Sequence, residues 1–269
     1  MHIAVIDGDV LLYLSCRNRY PQEAGKTIVT LDDDGERVPI EFSKAEDAAY
    51  LEESWNNVKD NIKDTLEQLY CTDYVMAVKG EGNFRDEIYP EYKANRRNKT
   101  HDNTYRIVKT LRSLAIHEGL AVPAHGMEAD DLVRIWANEA KSAGRIPIVC
   151  SNDKDLKCIP GKYWNLKTKK LEDISEEEAT RLYYEQLLKG DPTDNIPGLP
   201  GVGPIGAKKA LASCVTEEEF QEVVISSYIL AYDKEWCDYL LSNGKMIHIK
   251  RHIGDYFTLE DWPLAQELR

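Results

Sequence analysis

Nine carboxylates in four short motifs are the residues of this chain whose types and spacing suit shared chemistry. They are Asp7 and Asp9 in IDGD, Glu128, Asp130 and Asp131 in MEADD, Asp153 and Asp155 in SNDKD, and Asp191 and Asp194 in GDPTDN. Any one motif has an ordinary explanation as a helix cap, a turn or a solvated acid. Asp9 in particular reads equally as a turn residue. Their placement says more. Asp7 and Asp153 fall just past predicted strand ends, and the MEADD acids open a predicted helix, whose positive end suits them. In a parallel α/β sheet the carboxyl ends of the strands line one crevice. Nine acids there repel one another strongly without cations, and hard divalent ions with oxygen ligands, Mg²⁺ or Mn²⁺, relieve that repulsion. Two such ions about 4 Å apart activate a water and clamp the attacking and leaving oxygens of a phosphodiester. Setting these nine aside takes the formal net charge from −13 to −4, so much of the acidity belongs to this group. No Ser/His/Asp or Cys/His arrangement stands out, and there is no P-loop or GxGxxG fingerprint.

Two features suit an anionic partner. Between Tyr92 and Arg112 the bases Lys93, Arg96, Arg97, Lys99, Arg106, Lys109 and Arg112 face the single acid Asp102. A solvated face is the plain alternative for such a run. The segment PGVGPIGAKKAL fits a helix–hairpin–helix over residues 196–211: Gly201 and Gly203 permit a tight turn into a helix, and Gly206 keeps the backbone approachable. Exposed N–H groups there, with Lys208 and Lys209, would hold a phosphate backbone without reading bases. A simple helix-linking turn is the alternative.

The elements that must position these residues are legible in outline. HIAVID and TDYVMAV read as buried strands, LAVPAHG as a short one, IPIVCSNDKDL as a strand running into a loop, and KYWNLKTKKLEDI as a strand pair. Leu51, Trp55, Val58, Ile62, Leu66 and Leu69 share one face of a helix over 45–70. Ile107, Leu111 and Leu114 face inward on another, with Arg106, Lys109 and Arg112 opposite. MEADDLVRIWANEAKSAG is a helix stopped by Gly144, and Ser175 with Glu178 forms a capping box for a helix through Leu188. Residues from about Pro21 to Lys44 read as a loop or hairpin, and everything after Gly190 as helical with turns. Alternating strands and helices predict an α/β class with a mostly parallel sheet. Six well-spaced cysteines without metal spacing read as reduced thiols. With no apolar run for a bilayer and no secretory signal, a cytosolic setting and no membrane partner are expected.

In order along nearly the whole chain, VIDGD, FRDEIYPEYKANR, MEADD, SNDKDL and GDPTDNIPGLPGVGPIGAKKA resemble the 5′-nuclease family: flap endonucleases, the 5′-nuclease domains of bacterial DNA polymerase I, and above all the compact free-standing 5′-exonucleases of T-odd bacteriophages. The resemblance implies a PIN-like α/β core over 1–174, with a basic arch near 90–115, and a helical DNA-binding region over 175–269. It implies a site for two Mg²⁺ or Mn²⁺ ions made by Asp7, Glu128, Asp130, Asp131, Asp153, Asp155, Asp191 and Asp194. In that pattern Asp7, Glu128, Asp130 and Asp153 lie nearer the chemistry, and Asp155, Asp191 and Asp194 support the second ion. Lys93 and Arg96 match the basic pair that contacts the scissile phosphate, and K⁺ sits at the helix–hairpin–helix. DNA would be held by Lys93, Arg96, Arg97, Arg106, Lys109, Gly201, Gly203, Gly206, Lys208 and Lys209.

The activity implied is metal-dependent 5′-3′ exonuclease and flap endonuclease action on 5′ ends, flaps, and nicked or gapped duplexes. RNA/DNA hybrids and primer removal belong to the same expectation, for a monomer in a bacterial or phage-infected cytosol. One departure stands out. The family's second strand ends in an aspartate, whereas here Val78, Lys79 and Gly80 occupy that place, so Glu81 or Asp9 substitutes or the site is one ligand short. The rival readings are a PIN-like ribonuclease, against which the helix–hairpin–helix argues, and a DNA-junction binding protein without catalysis.

Overall fold

The computed structural model describes residues 1–16, 29–31, 37–39, 44–97 and 103–268. The first strand, β1 (His2–Asp7), is buried along almost its whole length, as a strand covered on both faces must be. It leads into α1 (Gly8–Cys16). The hairpin β2 (Val29–Leu31) and β3 (Arg37–Pro39) lies within the segment expected to be a loop or hairpin, whose remainder up to residue 43 lies outside the described residues. Then follow α2 (Lys44–Leu69), β4 (Tyr74–Lys79), α3 (Phe84–Ile88), α4 (Ala94–Arg97), α5 (Asn103–His117), β5 (Val122–Ala124), α6 (Ala129–Ser142) and β6 (Ile146–Ser151). A 3₁₀ turn over Asp155–Cys158 precedes β7 (Gly161–Asn165) and β8 (Lys170–Ile174). The rest is helical: α7 (Glu176–Lys189), α8 (Pro204–Ala210), α9 (Glu217–Tyr232), α10 (Trp236–Ile247) and α11 (Pro263–Glu267).

The six-stranded sheet runs β5-β4-β1-β6-β7-β8, parallel except for the β7–β8 pair. The strand alternation sorts its two faces. Ala4 and Ile6 pack with Met76, Val78, Ile148 and Cys150 under α1, α2 and α5, where Val58, Ile62 and Leu111 are buried as their spacing predicts. Val5, Ala77 and Val149 point the other way, onto Ala129, Val133 and Ala137 of α6. A third cluster joins α7 to α11 and includes Tyr92.

The order of strands selects the functional edge. From β1 the chain moves outward through β4 to β5, then returns to β6 on the other side of β1. The β1–β6 border is therefore a topological switch point, where crevices open at the carboxyl ends of strands. Asp7 ends β1 there and Ser151 ends β6 beside it. Among the described residues no helix is long and apolar enough to cross a membrane.

Candidate active site

The β1–β6 edge brings Asp7, Glu128, Asp130 and Asp153 together. Ser151 organises the first contact: its Oγ donates to Asp7 Oδ2 at 2.6 Å and accepts from the Asp153 N–H at 2.9 Å. The Val10 N–H donates to Asp7 Oδ1, so the start of α1 also fixes this carboxylate. Burial pushes Asp7 up to about 7, against the Ser151 hydrogen bond, and the charges of Asp9 and Asp153 add to the rise. Asp130, in the first turn of α6, is raised well above the usual carboxylate range by burial, then by Asp7, Glu128 and Asp153. These are oxygen donors that cannot all ionise cheaply without a cation among them, which is the chemistry of a hard divalent-ion site. The donor types fit such an ion. Among the described residues, however, no three His, Cys, Asp or Glu side chains already converge tightly enough to hold one.

Part of this charge meets a protein cation. Lys93 Nζ contacts Glu128 Oε1 and lies 3.4 Å from Asp194 Oδ2. Tyr92 Oη lies 2.9 Å from Glu128 Oε2 and 3.3 Å from Asp194 Oδ2. Burial, then those two charges, hold the Tyr92 phenol far above its usual range, so it remains a donor. The Tyr92–Lys93 turn is clasped onto the loop after α7. The Lys93 N–H donates to the Asp194 carbonyl, Asn195 Nδ2 to the Glu91 carbonyl, and Asn95 Nδ2 to the Pro192 carbonyl. Lys93 and Asn195 both take left-handed backbone, with φ of 53° and 59°, a strained choice for non-glycine residues that this clasp over-determines.

A second carboxylate group lies alongside, made by Asp155 and Asp191. Burial, then Asp153 and Asp191, push Asp155 up to about 6, while Lys154 and Lys189 oppose the rise. Gln186 Nε2 donates to Asp155 Oδ1 at 2.7 Å. Asp191 Oδ1 accepts the Thr193 N–H at 2.8 Å. Close backbone contact between two glycines shapes this loop: a Cβ on Gly190 would stand 2.3 Å from the Ile196 carbonyl, and one on Gly198 would stand 2.2 Å from the Gly190 nitrogen. Asp194, expected with this group, instead meets Lys93 and Tyr92 on the Glu128 side.

Two of the expected acids are committed elsewhere. Asp131 is fully buried, and Arg85 grips both of its oxygens at 2.6 and 2.9 Å. The N–H groups of Glu128 and Lys250 also donate to it. Despite burial, Arg85 holds this carboxyl below its usual range. Asp131 is thus part of a strut between α3, α6 and the chain after α10, because Arg85 also donates to the Met246 and His248 carbonyls. Asp9 is taken by Arg112 of α5 at 2.8 Å and by the Lys79 N–H at 2.8 Å.

The end of β4 carries no acid of its own, and the carboxylate that reaches it is Asp9, through the Lys79 N–H. Val78 is fully buried, Lys79 is exposed, and a Cβ on Gly80 would fall 2.2 Å from the Ala124 carbonyl of β5. Glu81 is exposed. Of the expected DNA contacts, Arg106 and Lys109 are exposed on α5. Arg96 and Arg97 close α4, but their side chains lie outside the described residues, as do Lys99 and Asp102. The glycine segment leads into α8. Gly201 is left-handed at φ 74°, Gly203 caps α8, and Gly206, Lys208 and Lys209 are exposed along it. Sequence reasoning missed Ser151, Tyr92, Arg85 and Gln186. Tyr92 and Arg85, inside FRDEIYPEYKANR, and Ser151, opening SNDKDL, lay within motifs that pointed to them; Gln186 had no such signal.

Comparison with known proteins identifies the family. Residues 52–186 match the family model of the 5′-3′ exonuclease N-terminal, resolvase-like domain. DNA polymerase I of Mycobacterium tuberculosis is 33% identical over 142 residues, covering 48% of this chain and 16% of that protein. DNA polymerase I of Rhizobium leguminosarum is 28% identical over 137 residues, covering 48% and 14%. The chain thus matches only a small part of the length of these relatives. The bacteriophage T5 flap endonuclease, solved with DNA and metal ions, superimposes with a TM-score of 0.57 over 92% of this chain and 95% of that one, at 14% identity. The T5 5′-exonuclease with divalent zinc gives the same score. At that identity the likeness shows a shared fold. With the family model spanning half of its length, the chain belongs to the 5′-3′ exonuclease family.

Proposed function

We propose that this chain hydrolyses DNA phosphodiesters at 5′ ends and single-strand/duplex junctions, as a metal-dependent 5′-3′ exonuclease and flap endonuclease. The observation that carries the reading is the convergence of Asp7, Asp130 and Asp153, from three separate elements, at the β1–β6 switch point. Asp7, Glu128, Asp130 and Asp153 would hold one divalent ion, Mg²⁺ or Mn²⁺, and Asp155 with Asp191 a second. Such ions supply Lewis acidity and an activated water when bound.

The chain's own residues prepare the crevice. Ser151 orients Asp7 and the Asp153 turn, so both carboxylates are pre-aimed. The clasp on Asp194 presents the Lys93 ammonium beside Glu128, where a scissile phosphate would meet it. Arg106 and Lys109 on α5, and the turn from Gly201 to Lys209, lie on the exposed surface that would follow the nucleic-acid backbone. The reading assigns chemistry to residues 1–174 and duplex grip to 175–269, with K⁺ at the turn. It places a monomer in the cytosol of a bacterium or phage-infected cell, acting also on RNA primers.

The test is product length from a 5′-labelled nicked duplex and a 5′-flap duplex, with Mg²⁺ or with EDTA, for wild type and Asp153→Asn. Short products that need Mg²⁺ and vanish in the variant support the proposal. Intact DNA in every lane, with binding preserved, supports the second reading of a junction-binding protein. That reading is favoured by one observation: Val78, Lys79 and Gly80 end β4 without an acid of their own, and the carboxylate that reaches there, Asp9, is already paired with Arg112.

A further inference from the structure

A cavity of about 440 Å³ separates the second carboxylate group from the glycine turn. Asp155, Gln186 and Asp191 form its polar floor, Leu199 and Val202 belong to its apolar wall, and Gly201 and Gly203 to its rim. Neither glycine has any atom within 4 Å of where a Cβ would stand, so the rim backbone is open to approach. Lys154 and Lys189 also line this cavity. Both act on Asp155, yet neither forms an ion pair with a carboxylate within 4 Å among the described residues. Their neighbours behave differently. Lys157 pairs with Glu172 and Lys162 with Asp173, at 2.7 and 2.8 Å. The two lysines that line this cavity are thus available to an external anion.

Volume, wall and charge together describe one nucleotide unit. Small-molecule sites span roughly 300–1,000 Å³ and combine an apolar wall with a few polar anchors. Two ammoniums beside carboxylates suit a phosphodiester that arrives with divalent ions, since those ions would neutralise the acids while the ammoniums meet the phosphate. We propose that this cavity is a nucleotide subsite, in which the phosphate of one unit of the DNA strand lies between Lys154 and Lys189 and its sugar rests against Leu199 and Val202. The inference rests on the proposed function and adds to it two contacts between the cut and the grip.

The experiment measures equilibrium binding of a fluorescent 5′-flap duplex across a KCl series, with Ca²⁺ in place of Mg²⁺ so that the carboxylates stay neutralised. It compares wild type, Lys154→Met, Lys189→Met, the double variant, and Lys170→Met as a control for surface charge. Inhibition by a free 5′-mononucleotide forms a second arm. Each cavity lysine is expected to weaken binding roughly fivefold and to make the slope of log affinity against log salt shallower by about one, whereas the control moves neither. A weaker mononucleotide inhibition in the double variant supports a cavity open to free nucleotide as well, and unchanged inhibition with lost flap affinity supports a strand contact alone. Cavity variants indistinguishable from Lys170→Met overturn the subsite and leave the nuclease reading intact. Wild type that binds no DNA overturns both. Wild type that binds without Mg²⁺-dependent cleavage removes the activity while the salt slopes still decide the subsite.

Discussion

The two carboxylate groups differ in how their charge is balanced. Around Asp7, Glu128 and Asp130, cations are locked into the fold: Lys93 lies on Glu128 and Asp194, Arg85 on Asp131, Arg112 on Asp9. Around Asp155 and Asp191, the cations Lys154 and Lys189 line an open cavity without a carboxylate partner of their own. The first arrangement is a preorganised centre, where groups are held in place before any substrate arrives. The second is a surface prepared to be completed. The difference separates residues that set geometry from residues that meet a ligand, and it predicts opposite consequences for their removal.

The largest effect tests the locked side. Arg85→Ala leaves Asp131 buried without its partner and is expected to destabilise the fold by about 3–5 kcal/mol in denaturant unfolding. A loss under about 1 kcal/mol would remove Arg85 from the scaffold of the centre. Next, Asp130→Asn relieves the crowding with Asp7, Glu128 and Asp153. It is expected to raise the melting temperature in EDTA, by roughly 1 kcal/mol of stability, while abolishing the further rise on adding Mn²⁺. Equal Mn²⁺ shifts in variant and wild type would exclude Asp130 as a ligand.

Lys93→Met sharpens the contrast within the locked side. Glu128 and Asp194 lose their ammonium, so calorimetric titration is expected to show Mn²⁺ binding about tenfold tighter, with cleavage slower by about a hundredfold. Unchanged affinity would mean that Lys93 and the ion do not share oxygens.

The smallest effect concerns the segment after α10, which braces Asp131 through Lys250 and Arg85. There Asp255 accepts from the Arg251 N–H at 2.7 Å and lies 2.8 Å from His248 Nε2. Burial opposes its ionisation, yet bonds from His248 and Arg251 hold it far below the usual carboxylate range. A depressed folded value means that this stability is present above the unfolded value, about 4, and is lost as pH falls below it. Burial also lowers His248, so its contribution declines earlier, as pH falls from about 6.5. Urea midpoints measured from pH 7 to 3 are expected to fall in that order, and Asp255→Asn is expected to flatten the lower step. A variant profile parallel to wild type would refute this assignment.

Much of the fold was legible because local patterns and tertiary packing agree. The Leu51-to-Leu69 stripe became α2, the strand pair became β7 and β8, and Ser175 with Glu178 formed its capping box. The candidate site was legible in its acids for a related reason: carboxylates at strand ends stand out whatever packs around them. The exceptions are informative. MEADD offers Asp130 and Asp131 as adjacent equals, yet they sit on different sides of one helix turn, about 100° apart. Asp130 meets the crevice and Asp131 meets Arg85, a residue 46 positions away. Asp9 reads as either a ligand or a turn residue, and the fold gives it Arg112 of α5 and the Lys79 N–H as partners.

Sequence alone therefore determined which residue types are available, their spacing along each element, and the strand–helix alternation that forces a parallel sheet with one acidic edge. These are short-range consequences of periodicity and backbone preference. Only the tertiary structure decided which cation each acid receives. It placed Lys93 on Asp194 through a clasp spanning about a hundred residues, left Gly80 no space for an acid, and brought Lys154 and Lys189 into the lining of one cavity. Those pairings depend on strand order and on how loops close over the sheet, and exposed charges farther apart than about 8–10 Å are largely screened from one another. No pattern along the chain encodes that distance.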